Sequence, residues 1–174
     1  NVGVGKLVTV FLSFLNKKLA PLGLGIVTVI FFMIGLVMFL LPPVPGVPVY
    51  LAGGVILVAK GRHEMGFFIA CVYAIVVCFA IKLCAIVLQQ KGIGERLKGH
   101  ISIRKAVGVN SITIRAIRVI LQEPGLDKRK VFILCGGPDW PVSVLTGILG
   151  LDVWQMLLGS VPVIFLIAPC VCAG

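Results

Sequence analysis

Apolar residues in this chain come in long uninterrupted blocks, so length and breaks, not periodicity, predict the elements. Val2 to Leu15 is apolar apart from Lys6 and is closed by Asn16, Lys17 and Lys18. At about 14 residues it is short for a bilayer crossing and predicts an interfacial helix, or the tail of a longer one, over 1–20. Leu22 to Leu41 carries no charge over twenty residues, roughly 30 Å as a helix, which matches the hydrocarbon thickness and predicts a first spanning helix. Pro42-Pro43 ends it, because proline lacks an N–H and its ring clashes with the preceding turn. Four prolines fall between Pro42 and Pro48, and the chain then stays apolar to Ala59 through Gly53-Gly54. Only about eleven helical residues follow Pro48, too few to cross, so 42–59 is expected to be a re-entrant hairpin that enters and leaves on one side. Lys60 to Glu64 is a polar loop, and Phe67 to Gln89 predicts a second span interrupted by Lys82. Val131 to Leu151 is apolar but broken at Gly136-Gly137-Pro138-Asp139-Trp140-Pro141, predicting a second hairpin closed by Asp152. Val153 to Ala173 predicts a third span, kinked at Pro162 and near its end at Pro169. The expected fold is thus an all-α integral membrane fold. Three spanning helices combine with two opposed re-entrant hairpins and amphipathic interfacial helices, residues 21–174 forming one membrane domain.

Between the second span and the second hairpin the pattern changes. Ser111, Arg115, Arg118 and Gln122 recur at helical spacing on one face, while Ile112, Ile114, Ile117 and Val119 to Leu121 fill the rest. This predicts a short basic amphipathic helix, opened by Asn110 as N-cap and ended by Pro124-Gly125, lying on lipid headgroups.

Composition supports the bilayer as solvent. The 174 residues are 59% hydrophobic and 13% charged, about half the charged fraction of soluble domains. The net charge is +10, and ten of the basic residues lie between Lys91 and Lys130 against three acidic ones. Such a block marks the cytosolic side of a membrane protein and attracts anionic lipid. Nucleic acid is the rival reading of a basic chain, but no aromatics interleave with these cations. Cys71, Cys78, Cys84, Cys135, Cys170 and Cys172 lie in or beside apolar stretches without a CxxC pair or a histidine cluster. They read as packing residues, not as a zinc site or disulfide framework. Neither a cofactor nor a metal is expected. His63 and His100 read as solvated loop residues, and Trp140 and Trp154 as anchors at the cytosolic interface. Gly3-Val4-Gly5-Lys6 lacks the Ser/Thr of a phosphate loop, and no catalytic triad can be assembled, so the chain is not expected to be an enzyme. No secretory signal with a cleavage site is evident, and a start at Asn1 suggests a trimmed or partial chain.

With Lys17 and Lys18 inside, the spans deliver the basic block to the cytosol, and the two hairpins enter from opposite sides. This is the inverted-repeat logic of transporters; it rests on pattern, with no sequence identity noted between the halves. The residues Pro45-Gly46-Val47-Pro48-Val49-Tyr50-Leu51-Ala52-Gly53-Gly54 resemble the first hairpin of the VTT-domain family, which includes bacterial DedA proteins and eukaryotic endoplasmic-reticulum scramblases. Pro138-Asp139-Trp140, with Leu149 to Val153 and Leu158 to Pro162, is similar to its second hairpin and following helix. The resemblance implies movement of phospholipids between leaflets, or of a lipid-phosphate carrier coupled to protons. Val47 stands where DedA proteins carry an acidic residue, and the arginine expected before the second hairpin's proline has no match in Val131 to Gly137, which favours passive scrambling. The eukaryote-like second hairpin points to the endoplasmic reticulum.

The expected lipid pathway comprises Pro45, Gly46, Gly53, Gly54, Lys82, Gly136, Gly137, Pro138 and Asp139, with Arg115 and Arg118 at the membrane surface. Asp139 reads either as an N-cap at a half-helix start or as a contact to a headgroup or cation. Lys82 either faces a cavity, with Asp139 or a lipid phosphate as partner, or snorkels to the interface. The leading expectation is an ATP-independent lipid scramblase acting on membrane phospholipids. The alternatives are a proton- or sodium-coupled lipid-phosphate flippase and a non-transporting membrane organiser. Self-association is compatible with each.

Overall fold

Leu24–Leu40 forms one helix, α1. Its Leu, Ile, Val and Phe side chains offer the backbone no hydrogen bonds, which favours helix in any apolar setting, and the Thr28 hydroxyl donates back to the Leu24 carbonyl at 2.9 Å. It stops where the next proline dictates. Leu41 is extended, as a residue before proline must be, and its N–H donates to the Met38 carbonyl. The computed structural model describes Val10 and residues 22–174, except 43, 97, 109, 124, 137 and 138. The expected helix over Val2–Leu15 lies outside the described residues, as do Lys17 and Lys18.

The expected break inside 42–59 is not there. After extended Pro45 the chain is helical from Gly46–Gly53 (α2) through a π-helical stretch at Gly54–Val58 into Ala59–Met65 (α3), without interruption. Pro48 falls in the first turn of α2, where its missing N–H leaves no intrahelical bond unmade. Leu41 and Pro45 are extended, and the glycine pair lies inside the helix, packed against its neighbours. Gly66, at φ +83°, is the position where the chain does turn, and a residue without Cβ is needed there.

Helix α4, Phe67–Val87, continues as a π-helical segment, Leu88–Glu95. The expected span ended at Gln89; instead the helix carries Lys91 and Glu95, paired at 2.6 Å one turn apart. Short helices follow: α5 at Ile101–Val107, α6 at Ile112–Gln122, α7 at Lys128–Gly136 and α8 at Asp139–Ile148. Ser111, not Asn110, caps α6, accepting from the Ile114 N–H at 3.3 Å. Asp152 caps α9, Val153–Ser160, by accepting from the Trp154 N–H, and a 3-10 turn at Val161–Val163 leads into α10, Ile164–Ala173. The turn sits at Pro162, where the kink is expected. All regular structure among the described residues is helical. Two of the helices, Phe67–Glu95 and Val153–Ala173, are long and apolar enough to cross a membrane, while α1 is a shorter apolar helix.

The chain divides into two compact units, residues 1–82 with 164–174, and residues 83–163. In the first, α1 meets α4 and α2 at Gly35, whose missing side chain leaves Ile81 and Val49 as its nearest neighbours. Tyr73 on α4 donates to Thr28 on α1 at 2.9 Å. Gly53 lies against Cys78 and Phe31, and Gly54 against the backbone of α10. In the second unit, Val107, Ile114, Leu121, Leu134, Trp140 and Leu145 share one buried core, and α8 packs along the π-helical end of the long helix. Trp140, expected at the interface, is 5% exposed within that core; Trp154 is 72% exposed.

The two units share a construction. A Cβ on Gly54 would strike the Val171 carbonyl and the Gly174 Cα, and one on Gly174 would strike the Leu51 carbonyl. A Cβ on Gly147 would strike the Gln90 carbonyl and the Gly94 Cα, and one on Gly94 the Val144 carbonyl. Leu51, Gly54, Val171 and Gly174 therefore correspond to Val144, Gly147, Gln90 and Gly94. With this guide the sequence repeat is visible: Pro45, Pro48, Val49 and Gly54 recur at the same spacing as Pro138, Pro141, Val142 and Gly147. Four matches in ten residues carry little weight in the sequence alone, and the contacts show which positions matter.

Candidate functional site

Polar groups buried on bilayer-length helices are the chemically distinctive residues, because hydrocarbon offers them no alternative partners. Each unit holds its own set.

In the first unit the residue is Lys82. It is 2% exposed, and its ammonium stands over the Phe39 ring, 5.4 Å from the centroid. Phe39 in turn lies 5.7 Å from the buried Tyr50 ring, tilted against it. The electron-rich ring face attracts the cation, an interaction that strengthens as water is removed. Lys82 therefore does not reach out along a free stem, as snorkelling requires; the helix continues beyond it to Glu95 and α1 closes over it with Phe39. Gly53 and Gly54 are fully occupied in packing. Pro45 is exposed at the start of α2 and Gly46 is buried as its first residue.

In the second unit the residues are Gln89, Gln90, Ser143 and Thr146, all buried. The Gln90 side-chain amide donates to the Leu151 carbonyl at 2.7 Å. Leu151 N–H bonds to the Thr146 carbonyl, and Gly150, at φ +68°, lets the chain reverse beneath it. Thr146 donates to the Ser143 carbonyl at 2.7 Å. Gln90 thus fastens the end of α8 to the long helix, while its own side-chain oxygen is buried without a hydrogen-bond partner. An orphaned acceptor of this kind costs about 1–3 kcal/mol, and the π-helical backbone around it is a geometry frequent at functional positions. The expected span ends at Gln89, so neither glutamine stands out in the sequence. Their place within an apolar helix that continues to Glu95 was the available signal.

A third buried polar group, Lys130, lies at the foot of α7 and donates to the Glu123 carbonyl at the end of α6. A cation there suits the negative end of a helix. Beside it Arg129 bonds Glu123 at 2.7 Å and Asp127 at 2.8 Å, closing the loop between α6 and α7. The Arg129 hydrogen bond, reinforced by the Lys128 N–H, holds the Asp127 carboxyl below its ordinary range. Gly136 ends α7 in open space. Gly137, Pro138 and the Asp139 side chain lie outside the described residues, so the N-cap and headgroup readings of Asp139 fall there too; α8 begins at Asp139. Arg115 and Arg118 are exposed on α6. All six cysteines are free thiols, with Cys71 and Cys78 buried and Cys84 and Cys172 exposed.

No protein-family model matches the chain, and neither a curated protein nor a solved structure matches it.

Proposed function

We propose that the chain is an integral membrane protein that lets phospholipids exchange between leaflets without ATP. Membrane integration is supported by helices that are apolar on their outer as well as their packed faces. Ile26, Val29, Met33 and Val37 of α1, Phe67, Val72 and Val76 of α4, and Leu158 and Phe165 of the last helix are all exposed. A helix apolar all round belongs in a core or a bilayer. In this reading α1 is the third span. Helices α7 and α8, with nine and ten residues, cover about 15 Å each and make a half-crossing hairpin. The basic segment 91–130 faces the cytosol, and the resemblance of the Pro45–Gly54 and Pro138–Pro162 segments to VTT proteins suggests the endoplasmic reticulum.

The observation that carries the scramblase reading is the orphaned oxygen of Gln90 inside a bilayer-length helix. A headgroup entering hydrocarbon loses hydrogen bonds worth several kcal/mol each. An acceptor already desolvated and unpartnered can restore one of them to an ammonium or hydroxyl head, and a buried ammonium such as Lys82 suits the phosphate. Each exchange lowers the barrier without an energy source. A coupled flippase would need a titratable group on the pathway, and its candidate carboxylate is Asp139, whose side chain lies outside the described residues.

The experiment is reconstitution into liposomes containing tail-labelled fluorescent lipid, followed by a membrane-impermeant reductant. Bleaching of both leaflets is expected. Bleaching confined to the outer leaflet would end the reading, and dependence on an imposed pH or sodium gradient would move it to the coupled flippase.

A further inference from the structure

Helix α6 has apolar residues on two opposite faces, and only one of them is used by the fold. Ile114, Ile117 and Leu121 are buried against the core of the second unit. Ile112 and Val119 point the other way and are 87% and 65% exposed, with exposed Ala116 between them at three- and four-residue spacing. On the neighbouring α5, Ile101 is 83% exposed. Arg115 and Arg118 lie along one side of this outer face, and Lys98 and Lys105 are also exposed nearby in sequence. The salt bridges among the described residues involve none of these four cations.

We infer that the outer face of α6, with α5 beside it, is a docking surface for the anionic headgroup layer of a bilayer. Large aliphatic side chains left in water cost free energy in proportion to area, and a soluble acidic partner would satisfy the cations while leaving Ile112 and Val119 wet. A membrane interface satisfies both: the aliphatic row enters the acyl boundary while the guanidinium groups stay with phosphates, each arginine adding an increment that salt screens. The charge is in the right place for this, to one side of the apolar row and not at its centre. Because α6 and α5 both pack on α8, the surface bears on the same short helix that Gln90 holds from its far end. The inference rests on membrane integration alone, not on lipid movement.

The test uses the full chain in nanodiscs of phosphatidylcholine, with and without phosphatidylglycerol, and reads backbone amide exchange over 111–122. Exchange is expected to slow roughly thirtyfold when anionic lipid is present, following two arginine contacts of about 1 kcal/mol each. High salt should reverse the slowing. Arg115→Gln with Arg118→Gln should abolish the lipid dependence, and Ile112→Ser with Val119→Ser, which keeps the charges, should reduce it. Equal exchange in the two disc compositions would overturn the inference. So would the same slowing produced in phosphatidylcholine discs by inorganic phosphate, which would mark a free-anion site, or a surface indifferent to the Ile112 and Val119 changes. Loss of scrambling with the exchange difference intact would sink the proposed function and leave the docking surface standing.

Discussion

Gly147 lies so close to the carbonyl of Gln90 that a single added methyl group has no room. The obstructing atoms are backbone, of Gln90 and Gly94, so no side chain can rotate aside. Gly147→Ala should therefore force the helices apart and cost about 1–3 kcal/mol. Gly54→Ala, facing the Val171 carbonyl, should cost a similar amount, whereas Gly136→Ala, with nothing within 4 Å of the new atom, should be tolerated. Thermal unfolding in detergent of the three variants checks the ordering.

Gln90 offers a cleaner separation of structure from function. Gln90→Leu removes both the donor to Leu151 and the orphaned oxygen, so the lost bond is offset by the lost desolvation penalty. Stability should change by about 1 kcal/mol or less, while lipid exchange in liposomes should fall several-fold. Unchanged exchange in a well-folded Gln90→Leu protein would remove the observation on which the scramblase reading rests.

Lys82 is held by burial and by the Phe39 face. Lys82→Met keeps the stem volume and drops the charge, and should leave the protein at least as stable, since burying a charge is costly. Phe39→Leu takes away the ring but leaves the cation, and should cost about 1–2 kcal/mol. The pair measured by chemical denaturation, with the double variant, isolates the interaction.

The breaks in the chain were legible because proline acts locally. Pro42 marks the end of α1 and Pro162 the 3-10 turn. The Ser111–Gln122 segment was legible because its polar residues repeat with helical period. What could not be read was which apolar face packs. In α1 and α4 both faces are apolar, so periodicity carries no information, and Trp140 was assigned to the interface when it belongs to the core. The place of Gly53-Gly54 within the expected hairpin has a similar origin. A glycine that permits a turn and a glycine that permits contact look alike until the neighbour is known, and here Cys78, Phe31 and the α10 backbone are those neighbours. The site residues followed suit: Lys82 stood out as a charge within a span, whereas Gln90 was hidden at an apparent boundary.

The loop between α6 and α7 should respond to acid in a defined direction. The folded Asp127 carboxyl lies below its ordinary range, chiefly through its hydrogen bond with Arg129. A lowered folded-state value means the contribution is present at neutral pH and is lost as pH falls through that lowered value. Amide exchange over 123–130 should therefore stay constant through mild acid and rise only below the ordinary aspartate range. Asp127→Asn should raise exchange at neutral pH and flatten the profile. A transition near neutrality would contradict the assignment.

The two glycine crossings have a bearing on where the fold can yield. Helices joined by interdigitated leucines in a bilayer compete with acyl tails for the same contacts, so such seams soften when lipid chemistry changes. A crossing made of main chain against main chain, as at Gly54 with Val171 and Gly147 with Gln90, presents nothing a tail can substitute. In the proposed membrane setting these crossings would act as fixed pivots, leaving thickness-driven deformation to the side-chain-filled contacts around them.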